Sequence, residues 1–141
     1  MLRQCSSTIA VTAPRQGLFE VTSTISGWLD DQDIETGLLT FFCRHTSASL
    51  LIQENAADAA RRDLETWFAR IAPEDWAFYT HNDEGPDDMP AHIRAALTST
   101  QLSVPIVNRR MALGTWQGIY LFEHRARPHR RDIVLHIIGE S

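Results

Sequence analysis

The sequence predicts an α+β domain built mainly of antiparallel sheet. Three observations carry this. A chain of 141 residues and 16.0 kDa suits one core, since single domains usually hold about 100–150 residues, and falls short of the ~250 that a (β/α)₈ barrel needs. Short apolar runs follow one another at hairpin distances, most densely in the second half. Stretches with helical period are interspersed but few. No repeat, linker or low-complexity tract divides the chain, so residues 1–141 form a single domain in this reading.

The elements follow in order. Ser6 to Thr12 alternates, with Ile9 and Val11 on one face, and predicts a strand. Pro14 to Gly17 is a turn. Val21, Ile25, Trp28 and Leu29 recur at helical spacing, so a helix follows Phe19. Gly37 opens a strand through Cys43, and a second runs from Ala48 to Ile52. Asn55 or Asp58 can cap the next helix, whose apolar face is Ala60, Leu64, Trp67 or Phe68, and Ile71; Pro73 ends it. Asn82 to Asp88 is a polar loop. Asp88 can cap a short helix with Pro90 in its first turn and His92, Ile93 and Leu97 along it. Strands are expected at Leu102–Val107, Met111–Leu113, Gly118–Glu123 and Asp132–Ile138, with turns at Asn108-Arg109 and Ala126–Arg131. Trp28, Trp67, Trp76 and Trp116 are core candidates.

Composition excludes several functions. Hydrophobic residues make up 43% and charged residues 22%, as in ordinary soluble proteins. No apolar run approaches the ~18–20 residues of a membrane helix, and Met1 to Ser6 leads into no apolar signal core. A cytoplasmic protein with no membrane partner is expected. A net charge of −5 argues against a broad nucleic-acid surface. All 13 bases are arginine. Without lysine there is neither Schiff-base chemistry nor a P-loop lysine, so a phosphate must be met by arginine, histidine, backbone N–H groups or a metal. Cys5 and Cys43 are too few for a disulfide scaffold, and Cys43 is expected in the core.

Several groups could carry chemistry. The six histidines show no i, i+4 pair of a helix-borne zinc site, so a metal centre would draw ligands from distant segments; otherwise they are hydrogen-bonded or surface residues. The stretch from Tyr79 to Asp88 gathers imidazole and carboxylate groups that suit a hard cation or simply a solvated loop. Glu123 ends an apolar strand, as a buried acid or base or as a surface charge. Gly114 and Gly118 allow a close backbone approach to an anion, or a bulge in the sheet. The basic stretch from Glu123 to Arg131 reads as a phosphate contact or a solvated turn.

Three motifs resemble the YjbQ-like family: His45-Thr46-Ser47-Ala48-Ser49-Leu50-Leu51-Ile52-Gln53-Glu54-Asn55, then Glu84-Gly85-Pro86-Asp87-Asp88-Met89-Pro90-Ala91-His92-Ile93, then Leu113-Gly114-Thr115-Trp116-Gln117-Gly118-Ile119-Tyr120. They occur in the family's order, and the resemblance covers about residues 6–139. It implies a compact homotrimer. It also implies a divalent metal held by His45, His81 and His92, zinc by ligand type, with magnesium the alternative for a diphosphate substrate. Asn55, Ser47, Gly114, Thr115 and Gln117 would hold substrate or anion. Glu84, Glu123 and Asp58 would serve catalysis. Ala59 stands where many members have proline, and His124 and Arg125 match only part of the family.

Members of the family are often labelled secondary thiamine-phosphate synthase enzymes. The implied activity joins hydroxymethylpyrimidine diphosphate to thiazole phosphate with loss of pyrophosphate, and the implied partner is a small phosphorylated metabolite. Two alternatives stand beside it: a zinc-dependent hydrolase, and a trimeric module that binds a metal or anion without turnover. From its position, the Gly114–Gly118 segment is expected beside the three histidines as an anion-holding wall.

Overall fold

The computed structural model describes residues 1–141. The chain runs β1 (Leu2–Ala13), β2 (Gly17–Glu20), α1 (Thr22–Asp30), β3 (Thr36–Cys43), β4 (Ala48–Glu54), α2 (Asp58–Ile71), α3 (Asp88–Leu97), β5 (Gln101–Val107), β6 (Arg110–Met111), β7 (Gln117–Glu123) and β8 (His129–Glu140). The strands form two sheets, ordered β1-β8-β3-β5-β6 and β2-β7-β4. Every paired neighbour is antiparallel. The α+β class expected from the sequence is the class observed.

Side-chain alternation builds the layers. Leu39, Phe41, Val104, Ile106, Ile133, Leu135 and Ile137 point inward from the five-stranded sheet. They meet Leu50, Ile119 and Leu121 of the three-stranded sheet, and Ile25 and Leu29 of α1 complete the core. The run from Gly118 to Phe122 is apolar throughout because β7 is the central strand and is buried on both faces. Its other face, Tyr120 and Phe122, packs with Leu18 and with Phe68 of α2. Phe68 and Phe122 meet edge to face with centroids 5.1 Å apart. The outer face of the five-stranded sheet carries no helix, and Leu38 and Phe42 of β3 stand exposed on it. No helix is long and apolar enough to cross a membrane.

One close approach fixes the β3–β8 register. Gly37 faces Gly139; a Cβ at Gly37 would collide with the Ile138 carbonyl, and one at Gly139 with the Thr36 carbonyl. The β5–β6 hairpin turns at Asn108 and Arg109, both with positive φ (50° and 68°), the two-residue turn that matches strand twist.

The sequence expectations need several corrections. β2 was not expected: four residues show no period, and only pairing with β7 makes them a strand. β1 starts at Leu2 rather than Ser6, because its first residues are exposed and carry no apolar alternation. Neither Asn55 nor Asp58 caps α2. Ala57 holds that position, and its N–H donates to the Glu54 carboxylate at 2.9 Å. The tryptophans are not core. Trp67, Trp76 and Trp116 are 56%, 53% and 62% exposed, and only Trp28 packs against the main core. Cys43 is buried as expected, and burial pushes its thiol up to about 11.

Candidate metal centre

One end of the two-sheet sandwich gathers most of the chemistry. The end of β3, the start of β4, the end of β7 and the start of β8 converge there. The N-terminus of α3 packs against them, preceded by the irregular connection 72–87. Connections of that length without regular structure are uncommon and usually functional.

Within this end, His81, Asp88 and His92 bring their ligand atoms within 4.8 Å of one another. His81 Nε2 lies 3.3 Å from one Asp88 oxygen, and His92 Nε2 lies 3.1 Å from the other. The Asp88 side chain is only 3% exposed, whereas His81 is half exposed. Asp88 and His92 face each other because they stand four residues apart in the first turns of α3. His92 Nδ1 lies 2.9 Å from the Thr46 carbonyl oxygen. A carbonyl only accepts, so Nδ1 carries the proton and Nε2 turns toward Asp88. A ligating histidine is commonly oriented by such a bond. A neutral His92 therefore aims a lone pair at a carboxylate oxygen. That arrangement requires a cation or a second proton between them, and the donor set fits a divalent metal.

His45 does not join this cluster, contrary to expectation. Its Nε2 accepts the Asp132 N–H at 2.9 Å, and its Nδ1 faces the Arg131 guanidinium at 3.5 Å. Burial, then the Arg131 charge, lowers its pKa. The motif around His45 reaches the cluster through the Thr46 carbonyl, and Asp88 supplies the third group. The sequence signal for this pair is an aspartate and a histidine at i, i+4, which a helix places on one face.

Glu123 is buried and fully engaged, a correction to its expected catalytic role. Arg131 donates to both of its oxygens, through Nε at 2.7 Å and through Nη2. The N–H groups of His124 and Arg125 donate to Oε2 at 3.0 and 3.2 Å. Both oxygens are held by donors and the side chain is wholly buried, out of reach of solvent or substrate, so Glu123 is a structural anchor. Ser47 shares it: the Ser47 carbonyl and Oγ accept from Arg131 Nη2 at 3.1 and 3.0 Å. Glu84 stays available. Its side chain is 73% exposed, and its carboxylate accepts from Arg125 at 2.8 Å.

The Gly114–Gly118 segment lies at the opposite end. β7 runs from Gln117, paired with Glu54, to Glu123, paired with Ala48. Six residue steps of strand separate those ends by roughly 20 Å. Within one chain the segment therefore does not wall the histidines. Gln117 Oε1 accepts the Gly114 N–H at 2.7 Å, which closes a bend in the chain. Thr115 belongs to that bend. The Asn55 N–H donates to the Trp116 carbonyl beside it, and Asp58 pairs with Arg61 on the exposed side of α2.

Two clefts flank the cluster end. One of about 590 Å³ is lined by Phe42, Arg44, His45, Thr46 and Ser47 among others, and its Thr46 carbonyl is the partner of His92. Such a volume suits a small metabolite. The other, about 270 Å³, is lined by Glu84, Gly85, Asp87, Arg125 and Arg127.

A three-layer α+β fold with an imidazole–carboxylate cluster at one end defines the class structurally. The family model described as UPF0047 protein YjbQ-like matches residues 7–140, and the chain belongs to that family. A UPF0047 protein from Synechocystis sp. is 49% identical over 138 residues, covering 98% of this chain and 94% of that protein. The UPF0047 protein YjbQ of Escherichia coli O157:H7 is 40% identical over 134 residues, covering 94% and 96%. Among solved structures, a YbjQ-like protein of unknown function from Sulfolobus solfataricus P2 shares the fold with a TM-score of 0.91 at 23% identity, covering 99% of this chain and 100% of that one.

Proposed function

We propose that the chain is a metal-dependent enzyme acting on a small phosphorylated metabolite, with thiamine-phosphate synthesis as the named candidate. The observation that carries this is the His81–Asp88–His92 cluster, with the His92 proton committed to Thr46. Those three residues would hold the ion. Zinc suits the two imidazoles, and magnesium remains an alternative with a diphosphate substrate. When bound, a divalent ion supplies positive charge against a departing diphosphate.

The chain's own groups do the rest. Arg44 lines the larger cleft, is exposed and makes no ion pair, so its guanidinium is free to meet a phosphate. Glu84, exposed beside the cluster, can exchange a proton with substrate. The family resemblance favours the thiamine-phosphate reaction over simple hydrolysis. A homotrimer belongs to the same proposal, and the uncovered outer face of the five-stranded sheet offers a surface for it.

The test incubates purified protein and an Asp88→Asn variant with hydroxymethylpyrimidine diphosphate, thiazole phosphate and zinc or magnesium. Mass spectrometry follows thiamine phosphate and pyrophosphate. Product from wild type and at least a 100-fold loss in the variant support the proposal. Metal retained with every phosphorylated compound unchanged would leave the chain a binding module.

A further inference from the structure

Arg125 stands where the end of β7 meets the 81–88 stretch of the candidate metal centre, and it is 8% exposed. Its guanidinium makes a fork to Asp87, with Nε to Oδ2 at 3.0 Å and Nη2 to Oδ1 at 3.3 Å. Nη1 donates to the Glu84 carboxylate and Nη2 to the Glu84 carbonyl, each at 2.8 Å. Nη1 also lies 3.8 Å from an Asp88 oxygen. The adjoining Ala126 N–H donates to Asp87 at 2.8 Å. One side chain thus grips both ends of the Glu84–Asp88 turn.

That turn has little else to fix it. Its residues 84–87 lie in the connection 72–87, outside any helix or sheet ladder, and Asp88 opens α3, with the Ala91 N–H donating back to the Asp87 carbonyl. Its internal ties are a few turn bonds, Gly85 N–H to the Asn82 carbonyl, Asp88 N–H to the Gly85 carbonyl, and Glu84 N–H to Asp88. His81 faces Asp88 and Asp83 of the same stretch. Asp88 and His92 share α3, so the helix itself relates them to the Thr46 carbonyl, whereas residues 81–87, with His81, are tied to the end of β7 by the Arg125 fork and the Ala126 N–H.

We infer that Arg125 is the positioning residue of the metal centre, holding the 81–88 stretch in ligating geometry before an ion arrives. This rests on the proposed metal site. Preorganisation of this kind removes an ordering cost that binding would otherwise carry. Lysine cannot replace it, because a point charge does not span Asp87 and Glu84 as a planar fork does.

The test uses the full chain as wild type, Arg125→Met and Arg125→Lys, with Val104→Ala as a core-destabilised control remote from the loop. Two quantities are measured: zinc affinity by competition with a chromophoric chelator, and amide hydrogen exchange over 79–88 without and with saturating zinc. Wild type should show that stretch protected even without metal. Both Arg125 variants should lose the protection without metal, regain it with zinc, and bind zinc about 10–100-fold more weakly, the usual loss for a residue supporting a ligand. Val104→Ala should bind as wild type. Should Arg125→Met fail to fold, Asp87→Asn weakens the same fork and should move both readouts in the same direction. Unchanged affinity and exchange in these variants would overturn the inference while leaving the metal site intact. A wild type that binds no zinc, with exchange over 79–88 equal in all variants, would overturn both.

Discussion

Replacing Glu123 by alanine removes the acceptor of a buried fork. Arg131, 4% exposed, would keep its charge without its carboxylate, with only the Ser47 carbonyl and hydroxyl still accepting. The N–H groups of His124 and Arg125 would lose their shared acceptor. Breaking one side of a buried ion pair costs about 3–5 kcal/mol. Unfolding entropy near 2.1 cal/mol/K per residue over 141 residues gives roughly 0.3 kcal/mol/K, so the melting temperature should fall by about 10–17 °C. Urea unfolding followed by circular dichroism checks it, with the slope unchanged and the midpoint lowered. Glu123→Leu combined with Arg131→Met should recover most of the loss, since a well-packed apolar pair often matches a buried ion pair. Loss of activity with less than about 1 kcal/mol of destabilisation would refute the anchoring role and restore Glu123 as a catalytic acid or base.

Three further outcomes are expected. His124 is fully buried, with Nε2 2.8 Å from Ser49 Oγ and Nδ1 unpartnered, and burial lowers its pKa to about 3. The unfolded state therefore binds the extra proton below pH ~6.5, and His124 should remove about 2 kcal/mol of stability between pH 7 and pH 5; unfolding free energies from urea titrations should fall by about 2 kcal/mol more over that range in wild type than in His124→Gln. Light scattering of dilute protein should give about three times the 16.0 kDa chain mass, and Phe42→Arg on the uncovered sheet face should dissociate it; a monomeric wild type contradicts the assembly. Gln117→Ala should cost about 0.5–1.5 kcal/mol, the worth of its bond to the Gly114 N–H, and leave metal content unchanged by elemental analysis.

What was legible in the sequence had a local cause. Ile25 and Leu29 of α1 and Val21 at its N-cap are buried as their spacing requires, and the Asn108-Arg109 hairpin follows from its turn residues. β2 was not legible, because its only signature is a partner about a hundred residues away. Nor were the exposed tryptophans: helical spacing does not reveal which side of α2 is covered at Trp67, and Trp76 and Trp116 lie in irregular segments with no period to read. At the site, His81 and His92 came from family resemblance, and the structure brings them together. Asp88 is legible as a helix cap and as one of several carboxylates between Tyr79 and Asp88 that suit a cation, but composition does not single it out from Asp83, Glu84 and Asp87. Gln117 fails for a geometric reason, since adjacency of motifs in sequence order says nothing about which end of a strand each occupies, whereas His45 stands at the cluster's end with its ring turned to the Asp132 N–H and Arg131. β7 separates Gln117 from Glu123 by its full length.

The central claim is that His81, Asp88 and His92 hold a divalent ion. Element-resolved anomalous diffraction from crystals of the purified protein tests it most directly. The account predicts one peak per chain in ligating contact with His81, Asp88 and His92, at the zinc edge if zinc is the ion, with His45 still bonded to the Asp132 N–H. A peak on His45, or none at the cluster in zinc-soaked crystals, would contradict it.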